Sequence, residues 1–257
     1  MSFLFRSTTR WLLSALACVG LASNASATPL DNARQLIVVT APSWEASSGQ
    51  LQAFERTENG WQAHGTGFEV ALGSSGSAWG IGLHPPQNGG PQKREGDGRS
   101  PAGIFTIGPA FGYAGHLGTA LPYQPMLATS YCMDVPASPL YNRIVDAAKV
   151  GTGAVKGSTE AMRLDLHNNG DVRYREGFVI EHNPGNVAGQ GSCIFAHLWR
   201  TPGEATAGCT AMAPRQMSDL LAWLTPDATP LFVLLPHAEY GRLQSSWGLP
   251  ALVETAH

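Results

Sequence analysis

A histidine and a cysteine twelve positions apart carry the chemistry that this sequence can do most directly. The stretch from Cys193 to Met212 reads C-I-F-A-H-L-W-R-T-P-G-E-A-T-A-G-C-T-A-M. It opens as an apolar strand ending at His197, loops through Pro202 and Gly203, and closes on Thr206-Ala207-Gly208-Cys209. A thiol is a weak nucleophile until a base takes its proton, and a strand end is a rigid mount for that base. A glycine before the thiol lets backbone N–H groups turn toward one point, as stabilising an oxyanion requires. A helix starting near Ala213 would add backbone donors that favour a thiolate. The chemistry is cysteine acyl transfer. Cys209 attacks a carbonyl, a thioester forms, and an amine or water releases it, with His197 handling the proton in both directions. The same two residues also fit a plainer role, a buried strand followed by a structural cysteine.

The first 27 residues read as a signal peptide. Arg6 and Arg10 form a positive region, Trp11 to Ala22 a short apolar run, and Ala25-Ser26-Ala27 a small-residue cleavage site. The mature chain is expected to start at Thr28 and to work in the periplasm or another extracytoplasmic space. Loss of the two arginines takes the formal net charge from −3 to −5. A mildly acidic chain has no electrostatic footprint for nucleic acid. No later hydrophobic run is long enough for a transmembrane helix.

Of the 4 cysteines, Cys18 would leave with the leader, so Cys132, Cys193 and Cys209 remain in an oxidising compartment. An odd number leaves one thiol over. The economical assignment pairs Cys132 with Cys193 and keeps Cys209 free, although spacing alone does not fix the pairing. A bridge at Cys193 would stiffen the strand that carries His197.

The elements that must position these residues are short and rich in turns. With Gly 30, Pro 18, 43% hydrophobic and 14% charged residues in 257, the chain predicts a mainly β fold with few short helices. A single domain is expected over 28–257, with its core at about 35–235. Gln35 to Thr40 reads as a buried strand. Leu51 to Arg56 and Trp61 to Gly65 pair across the Asn59-Gly60 turn, and Phe68 to Leu72 is a further strand. Gly73 to Gly103 is irregular and ends in Ser100-Pro101-Ala102-Gly103, leading into the strand Ile104 to Ile107. Within it, Glu95 and Asp97 could form a carboxylate pair, but their glycine neighbours favour a solvated turn. Ser138 to Lys149 predicts a helix. Met162 to His167 and Asp171 to Arg175 predict a hairpin, and Gly177 to Asn183 a strand. Pro214 opens the clearest helix, with Met217, Leu220, Leu221 and Leu224 on one face and Pro226 at its end. Leu231 to Leu235 is a buried strand, and the tail beyond Pro236 carries no pattern.

Three segments resemble the catalytic domain of the L,D-transpeptidase (YkuD-type) family. Ser100-Pro101-Ala102-Gly103-Ile104-Phe105 is similar to the family's T-P-x-G-x-F segment. Ile194-Phe195-Ala196-His197 resembles its histidine strand, and Thr206-Ala207-Gly208-Cys209 its S/T-H-G-C nucleophile motif. The resemblance covers roughly Gln35 to Leu235, and the A-G-C-T-A-M variant marks a divergent branch. It implies a β-sandwich-like fold and an enzyme that acts without a cofactor or metal on peptidoglycan stem peptides. The acceptor would be an amine of a second stem or of a wall-linked protein. Cys209 matches the nucleophile, His197 the base, and the N–H groups of Ala207, Gly208 and Cys209 the oxyanion hole. Ala207 stands where the family usually has a second histidine, and Ala211 where it often has Arg or Asn. Arg200, Trp199 and His182 are candidate substrate-binding residues.

Three rivals use the same residues differently. An L,D-carboxypeptidase or endopeptidase would use Cys209 and His197 with water as acceptor. A zinc enzyme would recruit His167, His182, His197 and Cys209, although no H-x-x-x-H or C-x-x-C spacing occurs. A non-catalytic wall-binding module would keep the fold alone.

Overall fold

The computed structural model describes Met1 and residues 28–252. The expected signal peptide falls on residues 2–27 and so lies outside the described residues. The protein is mainly β with few short helices. Its strands are β1 (Gln35–Ala41), β2 (Ser48–Thr57), β3 (Gly60–Ala71), β4 (Ser77–Trp79), β5 (Ser100–Gly112), β6 (Tyr123–Pro125), β7 (Ser130–Cys132), β8 (Ile144–Asp146), β9 (Glu160–Ala161), β10 (Glu176–Ile180), β11 (Phe195–Leu198), β12 (Thr210–Met212) and β13 (Leu231–Pro236). Its α-helices are α1 (Ala147–Val150), α2 (Leu164–His167), α3 (Pro214–Trp223) and α4 (His237–Trp247).

The continuous apolar runs of β1 and β13 make them the centre. Both are buried along their whole length and pair in parallel, Leu36 beside Leu231 through Ala41 beside Pro236. Strands buried on both faces are mostly apolar, and a polar side chain there needs a partner, as the Gln35 amide has in the Trp223 carbonyl and the Thr225 N–H. The large sheet runs β10-β11-β12-β3-β2-β1-β13-β5-β4. β5 is long enough to serve two neighbours. Gly103 to Thr106 pair with β13, while Ile107 to Gly112 pair with β10, so the strand path returns to its start. A small sheet, β8-β7-β9, stands apart.

The glycine of Ser100-Pro101-Ala102-Gly103 has a steric cause. Gly103 has φ +137°, and a Cβ there would lie 1.9 Å from Cε1 of His84. That imidazole is buried, and its Nδ1 accepts the Ile104 N–H at 3.0 Å. The irregular segment is thus stitched onto β5 by a histidine, and β4 within it pairs in parallel with the start of β5.

Several expected elements differ. The two strands expected over 61–65 and 68–72 are one, β3, which bends at a register shift opposite Leu51 and Ala53. The helix expected over 138–149 is instead β8 followed by one turn, α1. Asn142 takes φ +61°, which breaks a helix there, and Ile144 to Asp146 are claimed by β7. The hairpin over 162–175 is the single turn α2 and a loop, with Asn169 and Gly170 at positive φ. Ion pairs Arg163–Asp165 and Arg173–Asp171, each two residues apart, curl this segment instead of extending it. β10 stops at Ile180, because His182 and Asn183 turn inward and are buried. Beyond Pro236, His237–Trp247 form α4, which buries Tyr240, Leu243 and Trp247 and ends on Gly248 in the left-handed region.

Candidate functional site

The parallel pairing of β11 with β12 sets the site. Its register places Ala196 beside Thr210 and His197 beside Ala211. Cys209 directly precedes β12 and falls beside Phe195, whose N–H reaches its Sγ at 3.3 Å. Side chains alternate along a strand, so Phe195, His197, Cys209 and Ala211 share one face. The thiol and the imidazole are diagonal neighbours there, and the small Ala211 leaves room beside the ring.

The histidine is held in the form a base needs. Its Nδ1 lies 2.7 Å from the Leu198 carbonyl oxygen. A carbonyl only accepts, so Nδ1 carries the proton and a neutral ring keeps Nε2 as the basic nitrogen. The Tyr174 ring meets the imidazole edge-on, with centroids 5.2 Å apart. Burial, above all, brings the His197 pKa down to about 4, opposed by the Leu198 contact.

The cysteine differs from expectation. Because β11 and β3 draw Thr210 to Met212 into strand pairing, β12 separates Cys209 from α3, and the thiol is not at a helix start. Burial first, then the charge of Glu160, pushes the Cys209 thiol up to about 12, against the Phe195 N–H, Lys93 and Arg173. The resting pair is a neutral thiol and a neutral imidazole. For such a thiol to act as a nucleophile, proton transfer has to accompany attack instead of preceding it.

The turn before the thiol is tightly wired. Gly208 has φ +147°, and a Cβ there would sit 2.9 Å from the Arg99 carbonyl oxygen. The Gly208 N–H donates to Thr206 Oγ1 at 3.0 Å, and that hydroxyl donates to the Cys209 carbonyl at 2.7 Å. Ser100 Oγ donates to the same carbonyl at 3.0 Å, which ties the Ser100-Pro101 segment to the turn before the thiol. Of the three expected oxyanion donors, Gly208 is thus engaged within the turn, and Ala207 and Cys209 are the remaining candidates.

These residues open onto a cavity of about 620 Å³ lined by Cys209, His197, Ala207 and Gly208 together with Lys93, Glu160, Arg173 and Tyr174. No family profile, curated protein or solved structure matches the chain.

One wall comes from the small sheet. β9 brings Glu160 to the cavity, where the Tyr174 hydroxyl donates to its Oε1 at 2.6 Å. Burial lifts the Glu160 carboxyl to about 7. A disulfide joins Cys132 on β7 to Cys193, and Cys209 is the free cysteine among the described residues. Cys193 lies two residues ahead of β11, at φ +56°, so the bridge anchors the approach to the histidine strand and not the strand itself. The Cys209 Sγ lies 3.5 Å from the Cys193 carbonyl oxygen.

The other expected site residues separate. Trp199 and Arg200 border a small crevice beside the main cavity, shared with His197, Arg173 and Ala211. Arg200 is exposed and paired with Glu204, which also accepts from Thr201. His182 is not in the cavity of Cys209. Both its ring nitrogens are used by backbone, Nδ1 by Ile81 N–H and Nε2 by the Gln190 carbonyl, and it borders a second cavity of about 410 Å³. The four ligands of the zinc alternative do not converge, since His182 is elsewhere; His167 does line the cavity of Cys209, with its Nε2 2.8 Å from the Ala128 carbonyl oxygen.

Glu95 and Asp97 do not form the solvated turn that was expected. Asp97 pairs with the buried Lys93 at 2.6 Å, and Glu95 accepts from Ser192 Oγ at 2.7 Å and from the Tyr141 hydroxyl. A buried ammonium requires such a partner. Arg173, Tyr174 and Glu160 are the residues that sequence reasoning missed. For Arg173 and Tyr174 the signal was the charged run Asp171-Val172-Arg173-Tyr174-Arg175-Glu176, which the turn at Asn168-Asn169-Gly170-Asp171 assigned to a hairpin; Glu160 lies outside that run.

Proposed function

We propose that this protein is an exported cysteine acyltransferase of the L,D-transpeptidase type, acting on peptidoglycan tetrapeptide stems. The observation that carries the reading is the placement of Cys209 and His197 on one sheet face, at a cavity of about 620 Å³, with the proton held on Nδ1 by the Leu198 carbonyl so that Nε2 keeps its lone pair. The resemblance of the Ser100, Ile194 and Thr206 segments supplies the substrate class. The disulfide fits an oxidising compartment, and no described helix is long and apolar enough to cross a membrane.

In this mechanism Cys209 Sγ attacks the carbonyl joining the third residue to the terminal D-amino acid, while His197 Nε2 takes the thiol proton. N–H groups of Ala207 and Cys209 receive the developing oxyanion. The C–N bond breaks as His197 returns the proton to the leaving amine, and a thioester remains. An acceptor amine, from a second stem or a wall-linked protein, then attacks the thioester. Its proton passes to His197, and the thiol is restored.

The test is mass spectrometry of purified disaccharide-tetrapeptide incubated with residues 28–257, beside Cys209→Ala. A cross-linked dimer that the variant does not make is the expected result. Tripeptide alone would make the protein an L,D-carboxypeptidase using the same site. No product from either protein would point to a wall-binding module.

A further inference from the structure

We infer that Arg173 receives the free carboxylate of the departing D-amino acid, next to His197. This deepens the proposed function and rests on it for the identity of the ligand. In a terminal amino acid, the amine that must be protonated and the carboxylate hang from the same carbon. The group that protonates the one and the group that binds the other must therefore be neighbours. Arg173 meets this condition. It lines the cavity of Cys209, and it also borders the crevice that His197 shares with Ala211. The backbone keeps it there, because the Leu198 N–H donates to the Arg173 carbonyl at 3.0 Å, one residue beyond the imidazole.

The guanidinium is aimed as well as placed. Asp171, with only 3% of its side chain exposed, holds Nε at 2.9 Å and Nη2 at 2.8 Å. That fixes one edge of the planar fork, while Nη1 has no partner among the described residues. Arg173 itself keeps 33% of its side chain exposed, so the free edge is reachable. A guanidinium oriented in this way loses little freedom on binding a carboxylate. The two other cations nearby are already committed. Lys93 Nζ is spent on Asp97 and the Arg94 carbonyl, and Arg200 is clamped by Glu204.

The experiment measures binding in the Cys209→Ala protein, which cannot form a thioester. Calorimetry compares a tetrapeptide stem ending in the free acid with the same stem ending in an amide. The acid is expected to bind about 10- to 100-fold more tightly, the range for one charge-assisted hydrogen-bonded pair. In Cys209→Ala/Arg173→Gln, acid and amide should bind alike. If Arg173→Gln fails to fold with Asp171 left unpaired, Asp171→Asn/Arg173→Gln carries the same comparison. Equal binding of acid and amide, or a preference that survives without Arg173, would overturn the inference. A preference carried by Arg173, in a protein whose wild type forms no thioester, would end the acyl-transfer reading and leave the clamp. A wild type that is acylated while acid and amide bind equally would do the reverse, and failure of both peptides to bind would end both.

Discussion

Replacing Cys132 and Cys193 together by alanine should cost the fold about 4 kcal/mol. The bridge closes a loop with a sequence separation of 61. Removing that constraint returns to the unfolded chain an entropy that grows with the logarithm of loop length, worth about 4 kcal/mol at this size. For a domain of this length each kcal/mol moves the midpoint by roughly 2–4 °C, so the melting temperature should fall by roughly 8–16 °C. The assay is thermal unfolding followed by far-ultraviolet circular dichroism, with the wild type measured in oxidising buffer and again after reduction. Reduced wild type should melt with the double variant. The bridge also fixes the Cys193 carbonyl beside the Cys209 thiol. Alkylation of Cys209 by iodoacetamide should therefore quicken once the bridge is gone. A midpoint shift under about 2 °C, with unchanged alkylation, would refute the argument that the disulfide ties the small sheet to the site.

Other consequences follow from single groups. His197→Gln should fold normally but slow thioester formation by about 10²- to 10⁴-fold, as loss of a general acid–base group does; rapid-quench kinetics with near wild-type rates would remove His197 from the mechanism. His182 and His197 are both held at about 4 in the fold, against a usual 6.5, by burial. The unfolded chain takes up these protons first, so their stabilisation is complete above about pH 6.5 and is lost as pH falls toward 4. Glu160 works in the opposite direction, because its carboxyl is raised from 4.5 to about 7 and its contribution is lost as pH rises through that window. Urea midpoints in Glu160→Gln should therefore fall steeply from pH 6.5 to 4, and a flat profile would contradict the buried neutral histidines. Gly103→Ala should destabilise by about 2–4 kcal/mol through positive-φ strain and overlap with His84, and an unchanged melting temperature would show that the imidazole moves aside at little cost.

Strong local signals were legible in the sequence. The apolar runs of β1 and β13, the turn at Asn59-Gly60, and α3 with its proline at the first turn all formed where pattern placed them. The odd cysteine count led to the disulfide and the free thiol that the structure contains. The helix α4 was missed, although Tyr240, Leu243 and Trp247 do recur at helical spacing before Gly248. What could not be read is tertiary. Nothing local announces that β12 intervenes between Cys209 and α3, because Thr210 to Met212 are too few to show a period. Likewise Arg173 and Glu160 reach the cavity only because a curled loop and a two-residue strand, both well ahead of β11 and β12 in sequence, line the same cavity as the ends of those strands. His182 shows the converse. It has the residue type of a catalytic group, but backbone partners on both ring nitrogens make it part of the scaffold.

The central claim is that Cys209 carries the acyl group. The most direct test is the intact mass of the protein after acid quench during turnover of a tetrapeptide stem, with peptide mapping of the adduct. Acyl transfer through Cys209 predicts a mass increase equal to the acyl part of the stem, located on Cys209, lost in Cys209→Ala and slow to appear in His197→Gln. An unmodified Cys209 while product accumulates, or an adduct on another residue, would contradict it.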